Sequence, residues 1–283
     1  MIRDLPPSLP FCSQLIESPS PVPSPKAAVG ERLAFAKSLA RDAGALALRY
    51  FHRDLDFTAV AKGPQDWVSA ADHEVEALIR ARLATAFPGD SMVGEEAGGN
   101  LGDALWVVDP IDGTINFVHG VRYWCISLAF LLGGERRIGV IYDPCLDELF
   151  WAAQGTGAWC NERRIQASTC DRLDEALLCL GYVPRHSLAR HLALKGLLHE
   201  AGAAVKDMGA GALMLAHVAA GRFDAFVEPH MHPWDALAGL LLIEEAGGRV
   251  LPYPASQLIV EGGRVTACAA GLYEPLEALI SRA

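Results

Sequence analysis

The segment Trp106-Val-Val-Asp109-Pro-Ile-Asp112-Gly-Thr114 holds the densest concentration of reactive groups in this chain of 283 residues. Apolar residues 105–108 predict a short strand that delivers Asp109 to its carboxyl end. Pro110 restricts the exit, and Gly113 permits a turn that folds Asp112 and Thr114 back beside Asp109. Two carboxylates, turn carbonyls and a hydroxyl then converge. Hard oxygen donors in that number suit Mg2+, which binds through a few carboxylates plus substrate phosphate. Standing alone, the same residues also read as an Asp-Pro turn with an Asx cap. Other acids occupy comparable places. Gly94-Glu95-Glu96 follows the apolar run at Met92-Val93, and Asp235 stands at the start of a helix too apolar for a surface, where a buried carboxylate needs a cation. Asp66 and Asp72 form a third pair, Asp72 being equally readable as a helix cap.

These acids need rigid elements to hold them. Leu33, Ala36, Leu39, Ala40, Ala43, Leu46, Ala47 and Tyr50 recur at three- and four-residue steps, which predicts an amphipathic helix over 29–51. Ser69-Ala-Ala-Asp72 reads as a capping box before Val75, Leu78, Ile79 and Leu83, a second helix stopped by Pro88-Gly89. Apolar runs at 105–108, 124–132, 138–142 and 149–153, parted by Gly133-Gly134 and Asp143-Pro144, predict a meander. Helices are expected over 192–201 and 211–220, with a strand over 223–228 between them and a further helix over 235–247. That last helix is apolar nearly all round and should be buried on both sides. The result is an α/β layered sandwich with no internal repeat. It divides into a flexible Pro-rich tail over 1–27, an α+β half over 28–170 that carries most of the acids, and an α/β half over 171–283 that completes the site.

Composition narrows the function. Lys and Arg number 24 against 34 Asp and Glu, a formal charge of −10 that works against binding nucleic acid or an anionic membrane. With 51% hydrophobic residues the chain is globular, yet apolar stretches such as 236–243 are far short of the roughly 20 residues that span a bilayer. The seven cysteines are scattered, without a zinc signature or a disulfide framework, so reduced thiols and a cytoplasmic setting are expected.

Gly94-Glu95-Glu96, Asp109-Pro-Ile-Asp112-Gly-Thr114 with Asn116-Phe117 behind it, and Trp234-Asp235 followed by Glu245-Ala-Gly-Gly248 together resemble the inositol monophosphatase family, in its order and spacing over residues 30–275. The resemblance implies a five-layered α-β-α-β-α sandwich, a homodimer, and lithium-sensitive hydrolysis of a phosphate monoester with two or three Mg2+ per site. It assigns one metal to Glu95, Asp109 and the carbonyl of Ile111, and a second to Asp109, Asp112 and Asp235. Thr114, linked to Asp72 and with Glu95 nearby, would draw the proton of the attacking water. Glu96 and Asp66 would support the metals or hold a third. Gly113, Thr114, Gly209, Ala210, Gly211, Glu228 and Asp235 would meet the substrate. Ala210 stands where the family often has a hydroxyl residue, and Lys206 stands near a common Arg. Inositol monophosphate leads as substrate, with histidinol phosphate and fructose 1,6-bisphosphate as alternatives; a non-catalytic ligand-binding regulator is the alternative of another class. A dehalogenase-type phosphatase would need an Asp-x-Asp pair, whereas Asp109 and Asp112 are three apart.

Overall fold

The structure is a computed structural model that describes residues 25–56, 59–63, 66–183 and 186–283; the side chains of residues 25–28, 60–63, 66–68 and 255–256 lie outside that description. The Pro-rich segment expected over 1–27 falls outside the described residues as far as residue 24. The first helix, α1 (Pro25–Phe51), starts inside it. The α1 stripe of Ala36, Leu39, Ala40, Ala43, Ala47 and Tyr50 is buried, as its spacing predicts. A two-stranded ribbon, β1 (Ala59–Gly63) and β2 (Asp66–Ser69), leads into α2 (Ala70–Ala86). Both arms of the expected capping box are present at the start of α2.

An eight-stranded sheet follows. Its strands are β3 (Ser91–Gly94), β4 (Gly98–Gly99), β5 (Ala104–Asp112), β6 (Cys125–Leu132), β7 (Glu135–Asp143), β8 (Glu148–Ala153), β9 (Ala158–Cys160) and β10 (Arg163–Ile165), in the order β10-β9-β8-β7-β6-β5-β3-β4. From β6 to β10 each strand pairs antiparallel with its predecessor, the expected meander. Several boundaries shift by two to four residues, among them α4, which starts at Leu188, and β13, which runs to Met231; one shift bears on the acids. The strand expected to end at residue 108 continues to Asp112, because the β5–β6 ladder resumes at Asp112–Cys125 after a register shift. Pro110, which has no N–H to give a ladder, sits inside that shift.

The short α3 (Thr114–Val118) leaves β5. A five-stranded sheet in the order β12-β11-β13-β15-β14 is built from β11 (Leu177–Leu180), β12 (Ala204–Lys206), β13 (Ala225–Met231), β14 (Arg249–Val250) and β15 (Gly263–Cys268). Around it run α4 (Leu188–Glu200), α5 (Gly211–Ala219), α6 (Pro233–Glu245), α7 (Ala255–Leu258) and α8 (Tyr273–Ile280). Three apolar cores give the layering. α1 and α2 pack on one face of the large sheet. α5 and α6 fill the space between the two sheets, and α4 and α8 cover the outer face of the smaller one. The order is α-β-α-β-α. Residues Ala236 to Ile243 of α6 are all buried, in accord with a helix apolar on every side. None of the helices in the described residues is long and apolar enough to cross a membrane.

Candidate active site

β3 runs parallel to β5 with Gly94 opposite Val108, and the Glu95 N–H donates to the Val108 carbonyl at 3.2 Å. Adjacent strand ends therefore present Glu95 and Asp109 side by side. Asp235 comes from the first turn of α6, whose start is fastened to β6 by the Ser127 hydroxyl donating to the Trp234 carbonyl at 2.8 Å. One carboxylate oxygen from each of Glu95, Asp109 and Asp235 lies within 4.8 Å of the others. Asp109 is only 1% exposed. Burial, then the charges of Glu95, Asp235 and Asp112, hold the Asp109 carboxyl well above the usual range. Glu95 is raised likewise, by burial and then by Asp235 and Glu96. Burial and the neighbouring Asp112 push Asp235 up to about 8. Among the described residues no Lys, Arg or His side chain lines this cleft. The donor set thus fits a hard divalent cation, which stabilises several convergent carboxylates at once.

The β5 turn aims its groups individually. The Ile111 N–H donates to Asp109 Oδ1 at 2.9 Å, fixing that carboxylate. Gly113 adopts φ 89°, a left-handed conformation that a residue with a Cβ resists, and its missing Cβ would lie 2.9 Å from the Ala210 Cβ. Thr114 Oγ1 stands 3.1 Å from the Ile111 carbonyl and 3.4 Å from Asp72 Oδ1, so its single proton has two acceptors. The other Asp72 oxygen accepts from the Ser69 N–H at 2.8 Å and the Ser69 hydroxyl at 2.6 Å. Burial raises the Asp72 carboxyl despite these bonds. Asp112 accepts the N–H groups of Gly211 at 3.0 Å and Leu213 at 3.2 Å, and the Cys125 thiol at 3.5 Å. It therefore caps α5 from the far sheet while facing the cleft, and burial pushes it up to about 6.

One determinant escaped the sequence reading. Glu76 of α2, 2% exposed, accepts the N–H groups of Glu96 at 2.8 Å and Ala97 at 3.1 Å, and Arg80 donates to it at 2.6 Å. This buried carboxylate pins the turn that carries Glu95. A Cβ on Gly94 would meet its carboxyl carbon at 2.5 Å, which explains the glycine there. Glu96 itself is turned toward His73, 3.9 Å away, and does not line the cleft.

The cleft has a volume of about 440 Å3 and brings together Gly113, Thr114, Gly209, Gly211, Glu228 and Asp235. Ala210 is 1% exposed and packs into the core between the sheets, so only its neighbours reach the cleft wall. The Asp66 backbone opens β2, while its side chain lies outside the described residues. Asn116 donates to the carbonyls of Tyr123 at 2.8 Å and Met208 at 2.9 Å, tying the Gly209 loop to α3. Tyr182, Met208 and Met231 give the wall an apolar portion that the motifs do not announce.

Three convergent carboxylates lining a cleft, in a five-layered sandwich with two sheets, make an α/β protein whose acids could hold a cation through oxygen donors. The chain belongs to the inositol monophosphatase family, whose profile matches residues 29–282. It is similar to the Nus factor SuhB of Pseudomonas aeruginosa, 40% identical over 81% of this chain and 88% of that protein. It is also similar to the inositol-1-monophosphatase of Rhizobium meliloti, 40% identical over 75% of this chain and 79% of the relative. The solved structure of the Thermotoga maritima IMPase superposes with a TM-score of 0.81 at 32% identity, over 89% of this chain and 97% of that one.

Proposed function

We propose that this protein is a Mg2+-dependent phosphomonoesterase acting on a small phosphorylated polyol or amino alcohol, with inositol monophosphate as the leading substrate. The observation that carries the reading is the convergence of Glu95, Asp109 and Asp235, with Asp109 buried, in a cleft that no cationic side chain lines among the described residues. Glu95, Asp109 and the Ile111 carbonyl would hold one ion, and Asp109, Asp112 and Asp235 a second; Asp66 would support these or hold a third, and Glu96, which does not line the cleft, would support them only through its neighbours. Bound Mg2+ would supply the positive charge that attracts the phosphate and would make a water molecule more acidic. Thr114 Oγ1 takes the proton of the attacking water as its own proton passes to Asp72 Oδ1, 3.4 Å away. The raised affinity of Asp72 for a proton favours that direction. Gly113 and Gly209 leave room for the phosphate, and Glu228 accepts from the hydroxyls or the amine of the alcohol.

The reading carries with it inhibition by lithium, a homodimer and a cytoplasmic setting. A panel of phosphate esters assayed for kcat/KM in Mg2+ tests it, with inositol 1-phosphate expected to lead histidinol phosphate and fructose 1,6-bisphosphate. Absence of any turnover dependent on both Mg2+ and Asp109 refutes the enzyme reading. A phosphoryl group trapped covalently on Asp109 refutes direct attack by water. The 40% identical relative named a Nus factor favours a second reading, a regulator that acts without turnover. Under that reading Asp109→Asn leaves the cellular role of the protein intact.

A further inference from the structure

A second cavity of about 320 Å3 lies at the carboxyl ends of β11 and β13, between the smaller sheet and the helices α4 and α8. Leu180, Gly181 and Tyr182 form a wall common to this cavity and the acidic cleft. Beyond that wall the two diverge, because successive residues of a strand face opposite sides. On β13, Glu228 faces the cleft, while Val227 and Pro229 face the second cavity. The second cavity is apolar on its floor, where Leu180, Leu194, Val227 and Ile280 meet. It is cationic at its rim, where Arg190 and Arg264 stand with His186 and His191. Among the described residues no Asp or Glu side chain lines it.

The rim is held in place by its surroundings. Arg264 donates to Glu277 at 2.6 Å, which orients the guanidinium and engages one of its five N–H groups. The His191 ring packs 5.0 Å from that of Tyr182, and the His186 ring stacks on His230 at 5.5 Å. The two cavities differ in charge. The cleft gathers carboxylates, whereas its neighbour presents Arg190 and the Glu277-paired Arg264 beside apolar side chains. A concave, mostly apolar pocket with a few convergent polar groups is the usual form of a small-molecule site.

We propose that the second cavity binds a small organic anion with an apolar body. Its carboxylate, phosphonate or phosphate meets Arg190 and Arg264, and its hydrocarbon or aromatic part rests on Leu194, Val227 and Ile280. Fork-shaped guanidinium groups suit such planar or tetrahedral oxyanions. This site is separate from the one that would hold the reacting phosphate, and it needs no metal.

The test uses the full chain with 4-phenylbutyrate as probe and calorimetry as readout, with 4-phenylbutanol as the neutral counterpart. The expected result is one saturable site per chain for the acid, with the alcohol binding at least about tenfold more weakly, as befits loss of one charge-assisted contact. Arg190→Gln, an exposed change on α4, lowers the affinity for the acid about tenfold and leaves phosphomonoesterase activity unchanged. Leu194→Trp fills the floor and abolishes binding. No saturation below about 10 mM, equal affinities for acid and alcohol, or affinity untouched by Arg190→Gln would each overturn the proposal. The titration requires no turnover, so its failure is distinguishable from failure of the phosphatase reading.

Discussion

Replacing Glu76 by Gln asks how the acid turn is held. The carboxylate accepts two backbone N–H groups from the Glu96–Ala97 turn and one bond from Arg80. Gln keeps one carbonyl acceptor and turns an NH2 toward donors that then lose their partner. Hydrogen bonds to a charged group contribute about 1.5–3 kcal/mol each, so two affected bonds put about 3–6 kcal/mol at stake before the turn relaxes. Part of that loss appears as lower stability and part as displacement of Glu95. Partners behind a metal ligand typically alter affinity or activity by about 10–100-fold. The expected outcome is a 10–100-fold higher Mg2+ concentration for half-maximal phosphatase activity, a smaller fall in kcat/KM at saturating Mg2+, and a Tm several degrees lower. Gly94→Ala should act in the same direction, because its Cβ would displace the same carboxylate. Arg80→Met leaves both backbone bonds in place and should show a milder effect. A Glu76→Gln protein with lower Tm but a half-saturating Mg2+ concentration within about twofold of the parent would refute the reasoning.

Other consequences follow from the same residues. Thr114→Val removes the proton acceptor beside Asp72 and should lower kcat by about 10²–10⁴-fold, whereas Thr114→Ser retains most activity; similar rates for the two variants would dismiss the relay. The metal-free protein should lose stability as pH rises from about 4 to 8, since Asp112 and Asp235 hold protons in the fold up to about 6 and about 8 and release them earlier when unfolded. For Asp112 alone the rise from 3.8 to about 6 is worth up to about 3 kcal/mol, and Mg2+ should flatten the decline; calorimetric Tm values that climb over this range without metal would contradict it. Asp109→Asn removes an acid whose ionisation burial and the neighbouring carboxylates oppose, so without metal it should melt in denaturant no more easily than the parent at alkaline pH, while its response to Mg2+ disappears.

What was legible in the sequence was local or periodic. The α1 stripe, the Ser69–Asp72 capping box and the all-round apolarity of α6 each follow from spacing within one element. Asp109, Asp112 and Thr114 could be placed together because one turn holds all three. Glu76 was invisible because it reads as an ordinary helix residue, and its partners lie 20 and 21 residues away. The true length of β5 was hidden by Pro110, which signals a turn locally but sits in a register shift that only the pairing with β6 creates. Ala210 follows the same logic. The loop was recognisable, yet the direction of one methyl group depends on how closely Gly113 approaches it.

The double use of Asp112 has a bearing on biosynthesis. Its bonds to Gly211 and Leu213 close a loop of about a hundred residues, and Asp235 lies further along the chain. A ribosome releases the early strands well before α5 and α6 exist, so a nascent chain carries Glu95 and Asp109 with neither the cap nor the third acid. Contacts so distant in sequence form late, after local strands and helices. On the proposed two-ion reading, a chain ending before α6 lacks Asp235 and should bind Mg2+ more weakly than the full chain.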